Sequence, residues 1–155
     1  MAEDRDLESL GLISDIMERY KAEMSEALRR QPSRLKLMEA HVLRIVLDRK
    51  VCTQLDVVRD TRRDKAQIAK LVTALTNRNL LSREVDPSDA RRVRLSLTKE
   101  GRALASAIHT SRAAIARSMF EDLIAEDQEA LIALLRRARG DETNANGDTQ
   151  ASGIE

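Results

Sequence analysis

Residues 61–98 read TRRDKAQIAKLVTALTNRNLLSREVDPSDARRVRLSLT, and two different periodicities meet inside that stretch. Ile68, Leu71, Val72 and Leu75 recur at i, i+3, i+4 and i+7, the spacing of one buried helix face. Asp64 stands where an N-cap belongs, with Gln67 at the capping-box offset. After Asn77 the period changes to two: Leu81, Arg83 and Val85 alternate, and so do Val93, Leu95 and Leu97. Between those runs lies DPSDARR. A helix is therefore expected to pass straight into a β-hairpin with one buried face and a long basic tip.

The helix face opposite the apolar one carries Ala66, Lys70, Thr73 and Asn77, flanked by Gln67 and Ala69. A solvated helix face usually holds more Glu and Lys than this. Upstream, Thr53 reads as an N-cap with Asp56 three residues on, opening a short helix that contains Leu55, Val57 and Val58. Residues 6–30 place Leu7, Leu10, Ile13, Met17, Tyr20, Met24 and Leu28 at helical steps, and Pro32-Ser33 ends that helix. A second helix is read from about Leu35 to Arg49. Thr98 caps a long helix reaching about Phe120, and a last one spans about Glu126–Arg139. From Gly140 the tail is small and polar, the composition of a disordered segment.

The expected fold is mainly α with a small β-hairpin wing. Its divisions are an N-terminal helix for dimerisation (1–34), a winged helix-turn-helix lobe (35–98), C-terminal dimerisation helices (99–139) and a disordered tail (140–155). Composition agrees. Of 155 residues only five are glycine and two proline, which favours helices over a sandwich or barrel. Cys52 is the single cysteine, so no internal disulfide can form, as suits a reducing cytosol. The acidic opening MAEDRDLESLGL is no secretory leader, and no apolar run approaches the roughly 20 residues of a membrane span. A cytoplasmic protein without a membrane anchor is the expectation.

The formal net charge of +1 conceals a division. Residues 53–102 hold 12 Lys/Arg against 7 Asp/Glu, and the remainder 15 against 19. A basic module on a mildly acidic frame suits a partner that is a polyanion. B-DNA's major groove admits one α-helix and is read through compact polar side chains, while an arginine-bearing loop fits the narrow minor groove. Double-stranded DNA is thus the expected partner.

From Cys52 through LTKEGR (97–102), the chain resembles the MarR family of bacterial winged helix-turn-helix transcription regulators. The wing DPSDARRVRLSLT, with its Asp-x-Arg at Asp89 and Arg91, carries most of the likeness. The resemblance implies a homodimer whose terminal helices interlock and whose two lobes bind a pseudopalindromic operator. Repression relieved by a small-molecule effector, of a kind the sequence leaves unnamed, is the family default. It implies a recognition helix at Lys65–Asn77, with Ala66, Gln67, Ala69, Lys70 and Thr73 facing the DNA, and Arg91 in the minor groove, its guanidinium oriented by Asp89 with Arg92 beside it. Thr53 and Gln54, at the start of the preceding helix, complete the expected contact set. Where the family has a Leu-Gly-Leu-like turn, this chain has Thr61-Arg62-Arg63; glycine's freedom is absent there, and Arg62 and Arg63 gain access to phosphate.

Plainer readings stand beside these. The polar stripe is also what an ordinary solvated face offers, Gln67 is accounted for by the capping box, and Asp89–Arg91 by a surface ion pair of little consequence. For Arg94, strand alternation favours a solvated side chain. Cys52 next to a helix start is either a peroxide-sensing thiol or a small buried hydrophobe. His41 and His109 have no ligand-spaced partner, so no metal is expected. No cofactor motif, phosphate loop or nucleophile with a base appears, and an enzyme is not expected. A winged helix serving as a protein-interaction module of the transcription machinery is the rival, and the basic tip argues against it.

Overall fold

The structure, a computed structural model, describes residues 1–140; the expected disordered tail otherwise lies outside the described residues. In order come α1 (Ala2–Arg30), α2 (Leu37–Asp48), β1 (Cys52–Thr53), α3 (Gln54–Thr61), α4 (Lys65–Asn77), β2 (Leu81–Asp86), β3 (Asp89–Leu97), α5 (Lys99–Met119) and α6 (Ala125–Arg139). The chain divides into two units at Ala116/Arg117.

Three strands pair antiparallel in the order β1-β3-β2. Alternation predicts only two; β1 is two residues long, too short to show a period, and joins the hairpin through Cys52 opposite Leu95 and Thr53 opposite Arg94. Thr53 also does what its position promised. Its hydroxyl accepts from Asp56 N–H at 3.2 Å, while Asp56 accepts from Thr53 N–H at 2.8 Å, a reciprocal cap that starts α3. Asp64 caps α4 by accepting from the N–H groups of Ala66 (2.6 Å) and Gln67 (3.3 Å). α2 begins at Leu37 and not at Leu35, because Arg34 is left-handed (φ 45°) and Lys36 becomes the N-cap.

Ile68, Val72 and Leu75 are fully enclosed in a core with Val42, Leu43, Val57, Leu81 and Leu95. Each such side chain withdrawn from water contributes about 1.5–3 kcal/mol. The hairpin departs from its reading at the far end. Val85 is 63% exposed where alternation put it inside, because β2 and β3 run past the core there and the ladder is bulged between Val85 and Asp86. Buried at that bulge is Asp86, a charged residue.

The loop from α4 into β2 is held by α5. Thr98 donates its hydroxyl to the Asn79 carbonyl at 2.7 Å and accepts from Gly101 N–H at 2.9 Å. A Cβ on Gly101 would lie 1.9 Å from the Leu80 carbonyl oxygen, so only glycine permits this approach.

α1 is buried only near its end, at Met24 and Leu28; Leu7, Leu10, Leu12, Ile13, Ile16 and Met17 are exposed. In the second unit, α6 exposes Ile132, Leu134 and Leu135, and ends at Gly140, left-handed at φ 88°.

Candidate nucleic-acid interface

α4 turns its apolar side to the core and leaves Lys65, Ala66, Gln67, Lys70, Thr73 and Asn77 exposed, with Ala69 half-buried between them. This is the stripe the sequence defined. Ala69, Lys70, Thr73, Ala74 and Asn77 border an open shallow hollow along the helix. Small residues there let another surface come close to the helix backbone.

The turn before α4 closes without glycine. Arg62 adopts the left-handed conformation itself (φ 52°, ψ 31°), and Thr61 donates its hydroxyl to the Val57 carbonyl at 2.7 Å. A left-handed conformation costs an L-residue roughly 1–2 kcal/mol. Arg62 and Arg63 are both exposed at the foot of α4.

A cleft of ≈ 240 Å³ joins three parts of the expected site: Thr53 and Gln54 at the start of α3, Lys65 at the start of α4, and Arg91 and Arg92 on the wing. The fold thus gathers residues separated by up to 39 positions. Gln54 is half-buried, and its carboxamide oxygen is enclosed without a hydrogen-bond partner.

On the wing, the geometry differs from the expectation in two places. Asp89 accepts from the backbone N–H of Arg91 at 3.0 Å, and its other oxygen lies 4.0 Å from Nε of Arg92. It shapes the turn under Arg91, and its ion pair is with Arg92, not with the Arg91 guanidinium. Arg94, read as solvated, instead donates from Nε to the buried Asp86 carboxylate at 2.8 Å. The bulge puts Asp86 on the side where Arg94 can reach it. Asp86 also accepts from Ser88 N–H (2.8 Å) and Ser88 hydroxyl (2.5 Å), and these bonds, with Arg94, hold its carboxyl well below the usual range.

Cys52 is 2% exposed, and burial pushes its thiol up to about 11, so the buried-hydrophobe reading holds. Away from this face, Tyr20 and Met24 of α1, His41 and Arg44 of α2, and Ile108 and Arg112 of α5 enclose a small cavity of ≈ 50 Å³. Arg44 Nη2 lies 3.2 Å from His41 Nε2; a guanidinium only donates, so Nε2 is the acceptor and the imidazole is neutral. Burial, then Arg44 and Arg112, keeps the His41 pKa below its ordinary value. The sequence could not bring these three side chains together, because α2 and α5 are far apart along the chain.

A winged helix DNA-binding domain matches residues 35–101. The transcriptional regulator HosA of Escherichia coli O111:H- is 29% identical over 96 residues, 62% of this chain and 71% of that protein. Bordetella bronchiseptica BpsR, whose DNA binding is regulated by 6-hydroxynicotinic acid, is 29% identical, with a TM-score of 0.72 over 85% of this chain and 98% of that one. A mutant of Escherichia coli MarR complexed with operator DNA shares the fold, with a TM-score of 0.72 at 20% identity over 86% of this chain and 95% of that one. The chain thus carries a winged helix DNA-binding domain and is similar to transcription regulators. The chain is similar to regulators of the MarR family, whose fold it shares. No helix of the described residues is long and apolar enough to cross a membrane.

Proposed function

We propose that the chain is a homodimeric cytoplasmic repressor that reads a pseudopalindromic operator, with α4 in the major groove and Arg91 in the minor groove. The observation that carries the reading is the cleft that brings Thr53, Gln54, Lys65, Arg91 and Arg92 together beside the exposed polar face of α4. Lys70, Gln67 and Thr73 meet base edges or phosphates, Ala66 and Ala69 allow close approach, and Arg62, Arg63 and Lys65 serve phosphates. The exposed apolar residues of α1, and separately those of α6, supply the dimer contacts, because each set is too apolar to be left in water.

Release by a small organic anion follows from the cavity of Tyr20, His41, Arg44 and Arg112. Two guanidinium groups and a histidine favour a carboxylate. At ≈ 50 Å³ the cavity is far smaller than the roughly 300 Å³ of an ordinary ligand site, so a ring-bearing acid must spread α1, α2 and α5 to enter. The regulation of BpsR by 6-hydroxynicotinic acid supports an acid of this type.

The test is selection of duplexes from a random pool, followed by titration. The expected result is a two-fold site with half-sites about one helical turn apart, bound by a particle of twice 17.4 kDa. Arg91→Ala should weaken that site, and Lys70→Ala should relax specificity by about 1–3 kcal/mol at one position if it meets a base. Equal binding to all duplexes, or a monomer at micromolar concentration, rejects the reading. Pull-down of a polymerase-associated protein without DNA affinity would favour the interaction module.

A further inference from the structure

At the C-terminal end of α4, Arg78 reaches back across 45 residues of sequence. Its Nη2 donates to the Ser33 carbonyl in the turn between α1 and α2, and its Nη1 donates to Glu39 Oε2 at 3.4 Å. Glu39 is 8% exposed, and the same Oε2 accepts from Lys36 N–H at 2.8 Å, so the carboxylate that caps α2 also receives Arg78. The N–H of Arg78 in turn donates to Ala74 at the end of α4, and the next two N–H groups close on Thr76 (2.9 Å) and Leu75 (2.9 Å). One residue therefore ends the helix and ties that end to the start of α2. The other end of α4 carries its Asp64 cap, follows the left-handed Arg62 turn and is seated in the core through Ile68.

We infer that Arg78 is a positioning residue for α4: the Glu39–Arg78–Ser33 link fixes the angle at which the helix presents Lys70 and Thr73, and Arg78 itself does not bind DNA. The inference rests on the operator reading for its DNA arm only. A rigid aim matters more for base contacts than for phosphate contacts, because base recognition tolerates little displacement. Losing the link should thus harm operator binding more than random binding. Arg78 is itself exposed and keeps three N–H donors, so binding data must separate the link from a phosphate contact.

Glu39→Gln and Arg78→Gln separate the link from a direct contact. The carboxamide that Glu39→Gln introduces keeps an acceptor for Lys36 N–H, so α2 remains capped. In the free protein, both variants should speed amide exchange at 78–80 by about tenfold. On DNA, both should loosen the selected operator by about tenfold while random duplex changes little and the salt slope stays at its wild-type value. Arg78→Lys, retaining charge and one of the two donations, should recover part of the loss. Direct phosphate binding predicts the opposite pattern: Arg78→Gln flattens the slope by about one unit, and Glu39→Gln, by releasing the guanidinium, tightens binding. That result overturns the inference, as does unchanged exchange, or an equal loss on both duplexes that tracks a lowered folded fraction. A wild-type chain that binds every duplex alike rejects the operator reading, and exchange then decides the link.

Discussion

Arg94 Nε donates to the buried carboxylate of Asp86 across eight residues of the wing, and Asp86 holds Ser88 in the turn at the same time. The two residues form a brace at the root of the tip that carries Arg91. Arg94→Ala leaves Asp86 with one partner fewer and loosens the turn that Asp86 holds through Ser88. Operator affinity should fall with Arg94→Ala through the loosened tip. Asp86→Asn should do the same, and the double variant should add less than the sum of the singles, because both cut one bond. Additive losses in that cycle would place Arg94 on a phosphate.

The helix-turn-helix and hairpin are legible in the sequence because their information is local. Asp64, the apolar set of α4 and the period change after Asn77 all lie within a few residues of what they specify. Arg94 escapes that reading because alternation assumes an unbroken ladder, and the bulge at Val85/Asp86 breaks it. Asp89 escapes it for a similar reason: a spacing of two predicts proximity but not whether backbone or guanidinium is met. The His41–Arg44–Arg112 cavity and the Arg78 link depend on packing between separate helices, which no local pattern carries.

Gly101 tests the fit of α5 against the loop it holds. Gly101→Ala sets a methyl 1.9 Å from the Leu80 carbonyl oxygen, and that atom is backbone, so the start of α5 or the Asn79–Leu81 loop must move. The expected loss is about 2–4 kcal/mol, read as a lower urea midpoint at unchanged m-value. Gly11, with nothing within 4 Å of its added Cβ, supplies the control. Gly11→Ala should be neutral or slightly stabilising, since alanine favours the helix.

Arg62 is expected to trade stability for affinity. Arg62→Gly relieves the left-handed strain at φ 52° and should raise stability by about 0.5–1 kcal/mol, the net of less strain and a freer unfolded chain. If Arg62 serves a phosphate, the same variant should weaken operator and random duplex alike and flatten the salt slope by about one unit. More stable protein with an unchanged slope would leave Arg62 without a part in binding.

His41 should give the protein a pH dependence near neutrality. Burial is the first cause of its lowered pKa, Arg44 and Arg112 add to it, and Asp60 opposes them. The unfolded chain therefore takes up the proton at a higher pH than the folded chain does. Stability is complete above about pH 6.5 and declines as the pH falls below that value toward the folded pKa. Asp56, Asp86 and Glu26 are held below their ordinary values, so their contributions are lost only further down, below about pH 4. Urea midpoints should decline in the wild type as the pH is lowered from about 6.5, and His41→Gln should remove that decline. A carboxylate bound beside Arg44 and Arg112 reverses the linkage, because it favours protonated His41. If the cavity takes a carboxylate, affinity for benzoate as a probe should rise as the pH falls through the same window, and His41→Gln should abolish the rise. An identical pH profile in both proteins would show that His41 does not sense charge in that cavity.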